Sequence, residues 1–287
     1  MGTLPELRLL LLPRNLLHGA IKETILGSEF PNLCVIDLSQ NGFTGPLPSE
    51  YFKNWSAMKR GDSNFSYLAG NFSYNMDNIS RIHLYWYSMT IMNKGIDLFY
   101  GKIQRVFVAV DLSSNKFEGA IPNCIGSLQG LQVLNLSNNI LSGGIPLSLR
   151  SLTRLESLDL SRNNISGRIP QQLVQLTSLS FFNVSYNHLT GPIPRGNQLN
   201  TFENTSYLGN SGLCGDPLTK RCGNSEPAAT TNSSFEEQDS RSWFESNWMV
   251  VLFGYLGGLV VGAVIEHTVS WKHEWTRMTL WLKRRVL

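Results

Sequence analysis

The sequence predicts an α/β solenoid of short parallel strands, on three observations: one twelve-residue block recurs along the chain, four copies start at a constant 24-residue interval, and the apolar positions keep the same places in each copy. The blocks read DLSQNGFTGPLP (37–48), DLSSNKFEGAIP (111–122), NLSNNILSGGIP (135–146), DLSRNNISGRIP (159–170) and NVSYNHLTGPIP (183–194), with a rougher copy, LLPRNLLHGAIK, at 11–22. The four regular starts are 111, 135, 159 and 183.

Each element of a block has a mechanical reading. One short strand is laid down, the chain turns, and it returns across the other side, so that stacked copies bury a ladder of apolar residues. Leu131, Leu134, Leu136 and Leu141 form one rung. Asn15, Asn41, Asn115, Asn139, Asn163 and Asn187 are expected to point inward at the turn, where a side-chain amide satisfies backbone groups left unpaired. The glycine that follows in each block permits a tight backbone path, and the closing Ile-Pro or Leu-Pro favours an extended segment.

The 24-residue form ending in LxGxIP resembles the leucine-rich repeat of plant extracellular receptors, receptor kinases and wall-enzyme inhibitors. The resemblance implies a plant-specific leucine-rich-repeat solenoid, with repeats at 1–50 and four more at 106–196. Such repeats fix a fold without fixing a function.

Blocks 37 and 111 start 74 residues apart, one period plus an insertion of about 50. The inserted stretch, 51–105, opens on YFKNWSAM and later carries MTIMNKG, which resembles the island domain of plant receptor-like proteins. Within it, Tyr85, Trp86 and Tyr87 are candidates for a ligand or co-receptor surface, because aromatic side chains bury large area at small entropic cost. The plainer expectation is that most of them pack the insertion onto the solenoid, since alternating aromatics suit a half-buried strand.

After the last block, 197–223 contains NSGLCGDPL and resembles the family's C-terminal cap, which would cover the final repeat's apolar edge. By that resemblance Cys214 and Cys222 form a disulfide pinning the cap, as an oxidising compartment permits. Cys34 and Cys124 are expected to remain thiols, because a bridge needs Cα atoms within about 7 Å. The candidate binding face is the concave row of strand positions between inward leucines: Gln132, Val133, Glu156, Ser157, Ser180 and Phe181.

Residues 224–247 are polar and acidic and read as a juxtamembrane linker. The uncharged run from Trp248 to Ile265 would extend about 27 Å as a helix, so 248–270 is expected to span a bilayer. Basic residues in 271–287 put that tail in the cytoplasm by the positive-inside rule, giving a single-pass plasma-membrane protein with its N-terminus outside. Gly254, Gly258 and Gly262 recur every four residues and would form a smooth stripe for helix association. The segment VIEHTVSWKHEWTRM is similar to a family tail reading IGHTxxxRKHEWF, with Glu266 in place of a glycine near the stripe.

Asn-x-Ser/Thr acceptors stand at Asn54, Asn64, Asn71, Asn78, Asn135, Asn164, Asn183, Asn204 and Asn232, as expected of a secreted ectodomain. Those at Asn135 and Asn183 coincide with a polar position of the block itself, which supplies the triplet without glycosylation. A net charge of +3 points away from nucleic acid. The cysteine spacing is wrong for zinc and the five histidines are scattered, so neither a metal, a cofactor nor catalysis is expected. The Leu-rich start is interrupted by Glu6, Arg8 and Pro13 and continues into the repeats, so no signal peptide is expected in this chain.

The resemblance implies a cell-surface receptor-like protein, without a kinase of its own, that recognises an unknown extracellular ligand in plant defence. An adaptor receptor kinase would bind through the transmembrane helix, and a co-receptor kinase through the last repeats and the island. The alternatives are a developmental peptide receptor of the same architecture, or an inhibitor of microbial wall-degrading enzymes.

Overall fold

A computed structural model describes residues 4–22, 30–60, 65–76 and 79–223. The repeats contribute β1 (Leu9–Leu11), β2 (His18–Ala20), β3 (Val35–Asp37) and β4 (Gly42–Pro46), followed by two short helices, α1 (Ser49–Asn54) and α2 (Ser56–Arg60). The insertion forms β5 (Ala69–Met76), β6 (Ile79–Trp86), β7 (Met89–Asn93) and β8 (Ile96–Tyr100). The remaining repeats give β9 (Ala109–Asp111), β10 (Lys116–Ala120), β11 (Val133–Asn135), β12 (Ile140–Ser142), β13 (Ser157–Asp159), β14 (Ser166–Gly167), β15 (Phe181–Asn183) and β16 (His188–Pro192). β17 (Gly212–Cys214) lies in the cap.

The first strand of every repeat joins one parallel sheet in the order β1-β3-β9-β11-β13-β15. β3 pairs directly with β9, Asp37 opposite Asp111, so the insertion leaves the solenoid's register intact. Alternate residues face the core: Ile36, Val110, Leu134, Leu158 and Phe182 are buried there, as are Leu131, Leu136 and Leu141. On the return path three repeats use a 3-10 turn, while the repeat that carries the insertion uses α1 and α2 and fills the same space with Phe52, Trp55 and Met58.

The expected asparagine ladder is present in five of the six blocks; Asn15, in the first, is exposed and bonds only the Leu12 and Pro13 carbonyls of its own turn. Asn139 donates from Nδ2 to the carbonyls of Leu112, Leu136 and Ser137 at 3.1, 3.1 and 3.2 Å, and its Oδ1 accepts the Phe117 N–H at 3.0 Å. Asn41, Asn115, Asn163 and Asn187 repeat the pattern, each reaching one strand back. The ladder also continues beyond the blocks: Asn210 in the cap bonds the Val184 carbonyl and accepts the Leu189 N–H. Its signal was its place 23 residues after Asn187, one short of the period.

β17 extends the second layer by pairing with β16. Cys214 and Cys222 are joined by a disulfide with Cα atoms 5.0 Å apart, and Leu213 and Tyr207 close the last repeat's core. Cys34 lies buried just before β3 and Cys124 in a 3-10 turn. Among the described residues no helix is long and apolar enough to cross a membrane. The expected span at 248–270, with Gly254, Gly258 and Gly262, lies outside the described residues, as do the linker, the tail and the acceptors Asn64, Asn78 and Asn232.

Candidate ligand-recognition face

The sheet face turned away from the leucine core carries the candidate binding row, and the insertion determines how much of it is open. Two rows of side chains stand on it in register: Val35, Ala109, Val133, Ser157 and Phe181, and beside them Asp37, Asp111, Asn135, Asp159 and Asn183. In the second row each Oδ1 accepts the backbone N–H two residues on, as in Ser113 to Asp111 at 2.9 Å and Ser161 to Asp159 at 2.9 Å. These turns explain why only Asp or Asn occupies the position: a short side-chain acceptor closes the strand end.

A second apolar cluster, separate from the leucine core, forms where the insertion lies on this face. Cys34, Val35, Ala109 and Val133 from the repeats pack with Leu68, Met89, Ile91 and Ile103 from the insertion. Burying a side chain such as Met89 or Ile91 contributes about 1.5–3 kcal/mol, which is what holds the hairpin β7–β8 down. At its turn the Lys94 N–H donates to Ser157 Oγ at 3.2 Å, and Lys94 Nζ pairs with Glu156 at 3.3 Å. Gly95 has φ +79°, and a Cβ there would come within 2.8 Å of Phe181 Cε2, so glycine is needed for the turn to reach the sheet.

This docking corrects the expected open row. Val133 and Ser157 are buried and Phe181 is half-covered, because the hairpin lies over them. Gln132 and Glu156 remain half-buried, and only Ser180 is exposed. The MNKG sequence carries the covering turn, but nothing in its residue types told which strands it would meet.

The aromatic run is corrected in the other direction. Tyr85, Trp86 and Tyr87 are not part of the apolar cluster that holds the insertion on the sheet; they are 47, 39 and 39 % exposed. They contact one another and their neighbours instead: Tyr85 and Tyr87 meet edge to face at 5.4 Å, and Trp86 meets Tyr67 at 5.8 Å with Lys102 Nζ 4.8 Å from its ring centroid. Beside them a groove of about 530 Å³, floored by Leu9, Leu11 and Leu68 and flanked by Arg8 and Arg105, runs where Tyr87 meets the first strand.

A smaller cavity of about 120 Å³ lies beneath the hairpin, lined by Asp37, Asp111, Asp97 and Arg14. Burial pushes the Asp111 carboxyl up to about 7, against the opposing effect of its bonds from Ser113 and Asn135. Asp37 is raised as well, again chiefly by burial. Among the described residues no three His, Cys, Asp or Glu side chains gather as a metal-binding group.

Of the glycosylation acceptors, Asn71, Asn164 and Asn204 are exposed and Asn54 and Asn183 are half-buried. Asn135 is 4 % exposed and donates to Asp111 at 3.1 Å, so the folded chain cannot carry a glycan there. Its triplet is a by-product of the repeat.

Family models described as leucine-rich repeat match residues 32–54, 108–165 and 145–189. The chain is 48 % identical over 283 residues to Receptor-like protein 34 of Arabidopsis thaliana, covering 96 % of this chain and 28 % of that protein. It is 51 % identical over 258 residues to Receptor-like protein 9DC3 of Solanum pimpinellifolium, covering 89 % of this chain and 28 % of that one. Among solved structures it is similar to the Arabidopsis receptor kinase HAESA, crystallised with the peptide hormone IDA and the co-receptor SERK1. There the identity is 30 % and the TM-score 0.46, over 75 % of this chain and 31 % of that one. The chain thus spans under a third of the length of these curated relatives, and by its repeats and its identity along nearly its whole length it belongs to the plant leucine-rich-repeat receptor-like proteins.

Proposed function

We propose that this chain is the membrane-proximal part of a cell-surface receptor-like protein that recognises an extracellular ligand and signals through partner receptor kinases in plant defence. The observation that carries the reading is the 48 % identity over 96 % of the chain to a protein named as receptor-like. The recognition surface in this reading is the outer side of the insertion, with Tyr85, Trp86 and Tyr87, together with the exposed Ser180 and the half-buried Gln132 and Glu156. Large, stiff aromatic side chains favour such a role because ordering them on binding costs little entropy.

Signalling in this reading passes through assembly. The segment 248–270 crosses the plasma membrane, 271–287 lies in the cytoplasm, and Gly254, Gly258 and Gly262 present a backbone-deep stripe to the helix of an adaptor receptor kinase. A co-receptor kinase docks on the last repeats and the insertion.

Co-immunoprecipitation of a full-length receptor carrying this chain with candidate kinases tests the assembly. Changing Gly254, Gly258 and Gly262 together to leucine is expected to abolish capture of the adaptor, while undiminished capture removes the helix-pairing claim.

A further inference from the structure

The cavity beneath the β7–β8 hairpin is lined, among the described residues, by three carboxylates and one cation: Asp37 and Asp111 lie buried under the hairpin, while Asp97 belongs to it and pairs with Arg14. From this arrangement we infer that the hairpin is an acid-latched cover: protonation of Asp37 and Asp111 beneath it holds it on the sheet, and their ionisation loosens it and uncovers Val133, Ser157 and Phe181.

The geometry comes from β3, β9, the hairpin, the segment after β1, and β11. β3 and β9 set Asp37 and Asp111 side by side in register, 3 and 1 % exposed. The hairpin brings Asp97 to the same cavity, along with Thr90, Ile91 and Met92. Arg14, after β1, is the cation; it bonds Asp97 at 3.0 Å. From β11 comes only the neutral Asn135 amide, bonded to Asp111 at 3.1 Å. Arg14 and Asp97 pair with each other with side chains 64 and 46 % exposed, so what the docked hairpin shuts from water is the neighbouring pair Asp37 and Asp111, whose charges oppose each other there.

The repeat supplies an internal comparison. Asp159 occupies the same rung on β13 and makes the same turn with Ser161, but it does not line this cavity and is less buried; burial raises its carboxyl too. Asp111 has its carboxyl raised to about 7, with burial the largest cause and the charge of Asp37 adding to it. A group whose value is higher in the docked state than in the open one favours docking at low pH, and that preference is lost as pH rises through the docked value.

With an open-state value of 3.8, the docking equilibrium falls by up to ~70-fold between pH ~5 and ~7.5 if opening fully hydrates Asp111. Met89 and Ile91 keep an apolar grip throughout, so the charge modulates a contact that persists.

The test is hydrogen exchange on the full chain in detergent micelles at pH ~5 and ~7.5, reading protection factors of the amides in 89–100 after division by the intrinsic rate at each pH, with an expected fall of at least ~10-fold. Asp111→Asn, which places at this rung the residue already found at Asn135, should keep the high-pH protection near the low-pH level. Asp159→Asn should leave the fall intact. Should Asp111→Asn lose protection in β13 and β15 as well, and so be misfolded, Asp37→Asn takes its place and should at least halve the fall. Protection that does not change with pH in the unaltered chain, or a change that survives Asp111→Asn or Asp37→Asn in a folded variant, overturns the latch. So does its loss in Asp159→Asn.

Discussion

Replacing Asn139 by alanine tests whether the repeat asparagines are the stays of this solenoid. The side chain is 7 % exposed and makes four backbone contacts, three donated and one accepted. The three carbonyls keep other donors: Asn115 on Leu112, Asn163 on Leu136 and the Ser114 N–H on Ser137. The Phe117 N–H has no such reserve, since a single proton makes a single bond, and it is left buried. An orphaned buried N–H costs about 1–3 kcal/mol, and the three weakened carbonyl contacts add about 0.5 each, for a loss of about 3 kcal/mol. Thermal unfolding of the full chain followed by far-ultraviolet circular dichroism should show a midpoint about 6–12 °C lower. Two companions separate this cause from lost packing. Asn15→Ala removes two bonds from an exposed end of the ladder and should cost under about 1 kcal/mol. Asn139→Asp keeps the volume and the acceptor for Phe117 but aims an oxygen at three carbonyls, so it should unfold at least as early as Asn139→Ala. An Asn139→Asp variant as stable as the parent, or an Asn15→Ala loss equal to that of Asn139→Ala, would refute the ladder account.

Two further outcomes follow from the same geometry. Gly119 and Gly209 share φ near +75°, but a Cβ at Gly119 meets open space whereas one at Gly209 falls 2.9 Å from Tyr186 Cα. Gly119→Ala should therefore cost about 1–2 kcal/mol from backbone strain alone, and Gly209→Ala about 1–3 more from collision, read as the difference in melting temperature. Expressed through a eukaryotic secretory pathway, the chain should carry glycans at the exposed Asn71, Asn164 and Asn204 and none at Asn135, as peptide mass spectrometry after deglycosylation will reveal. Modification of Asn135 in folded protein would contradict its buried bond to Asp111.

The repeat period by itself determined the parallel sheet, its register across the insertion, the inward leucines and the asparagine ladder. These are local and repeated constraints: a strand, a turn and an amide fit within one 24-residue unit, and each copy restates them, so six copies leave little freedom. The insertion is different because it occurs once. Its residues showed that it was aromatic and strand-forming, but not which of its faces would be buried. Only the tertiary structure decided that Leu68, Met89, Ile91 and Ile103 lie on the sheet while Tyr85, Trp86 and Tyr87 stay exposed. The choice depends on the apolar patch made by Val35, Ala109 and Val133, whose members are drawn together from three strands up to 98 residues apart, a proximity that no spacing within the insertion records. The same holds for Asp37, Asp97 and Asp111: two open repeat blocks and one lies in the insertion, and their shared cavity exists only once the hairpin has docked.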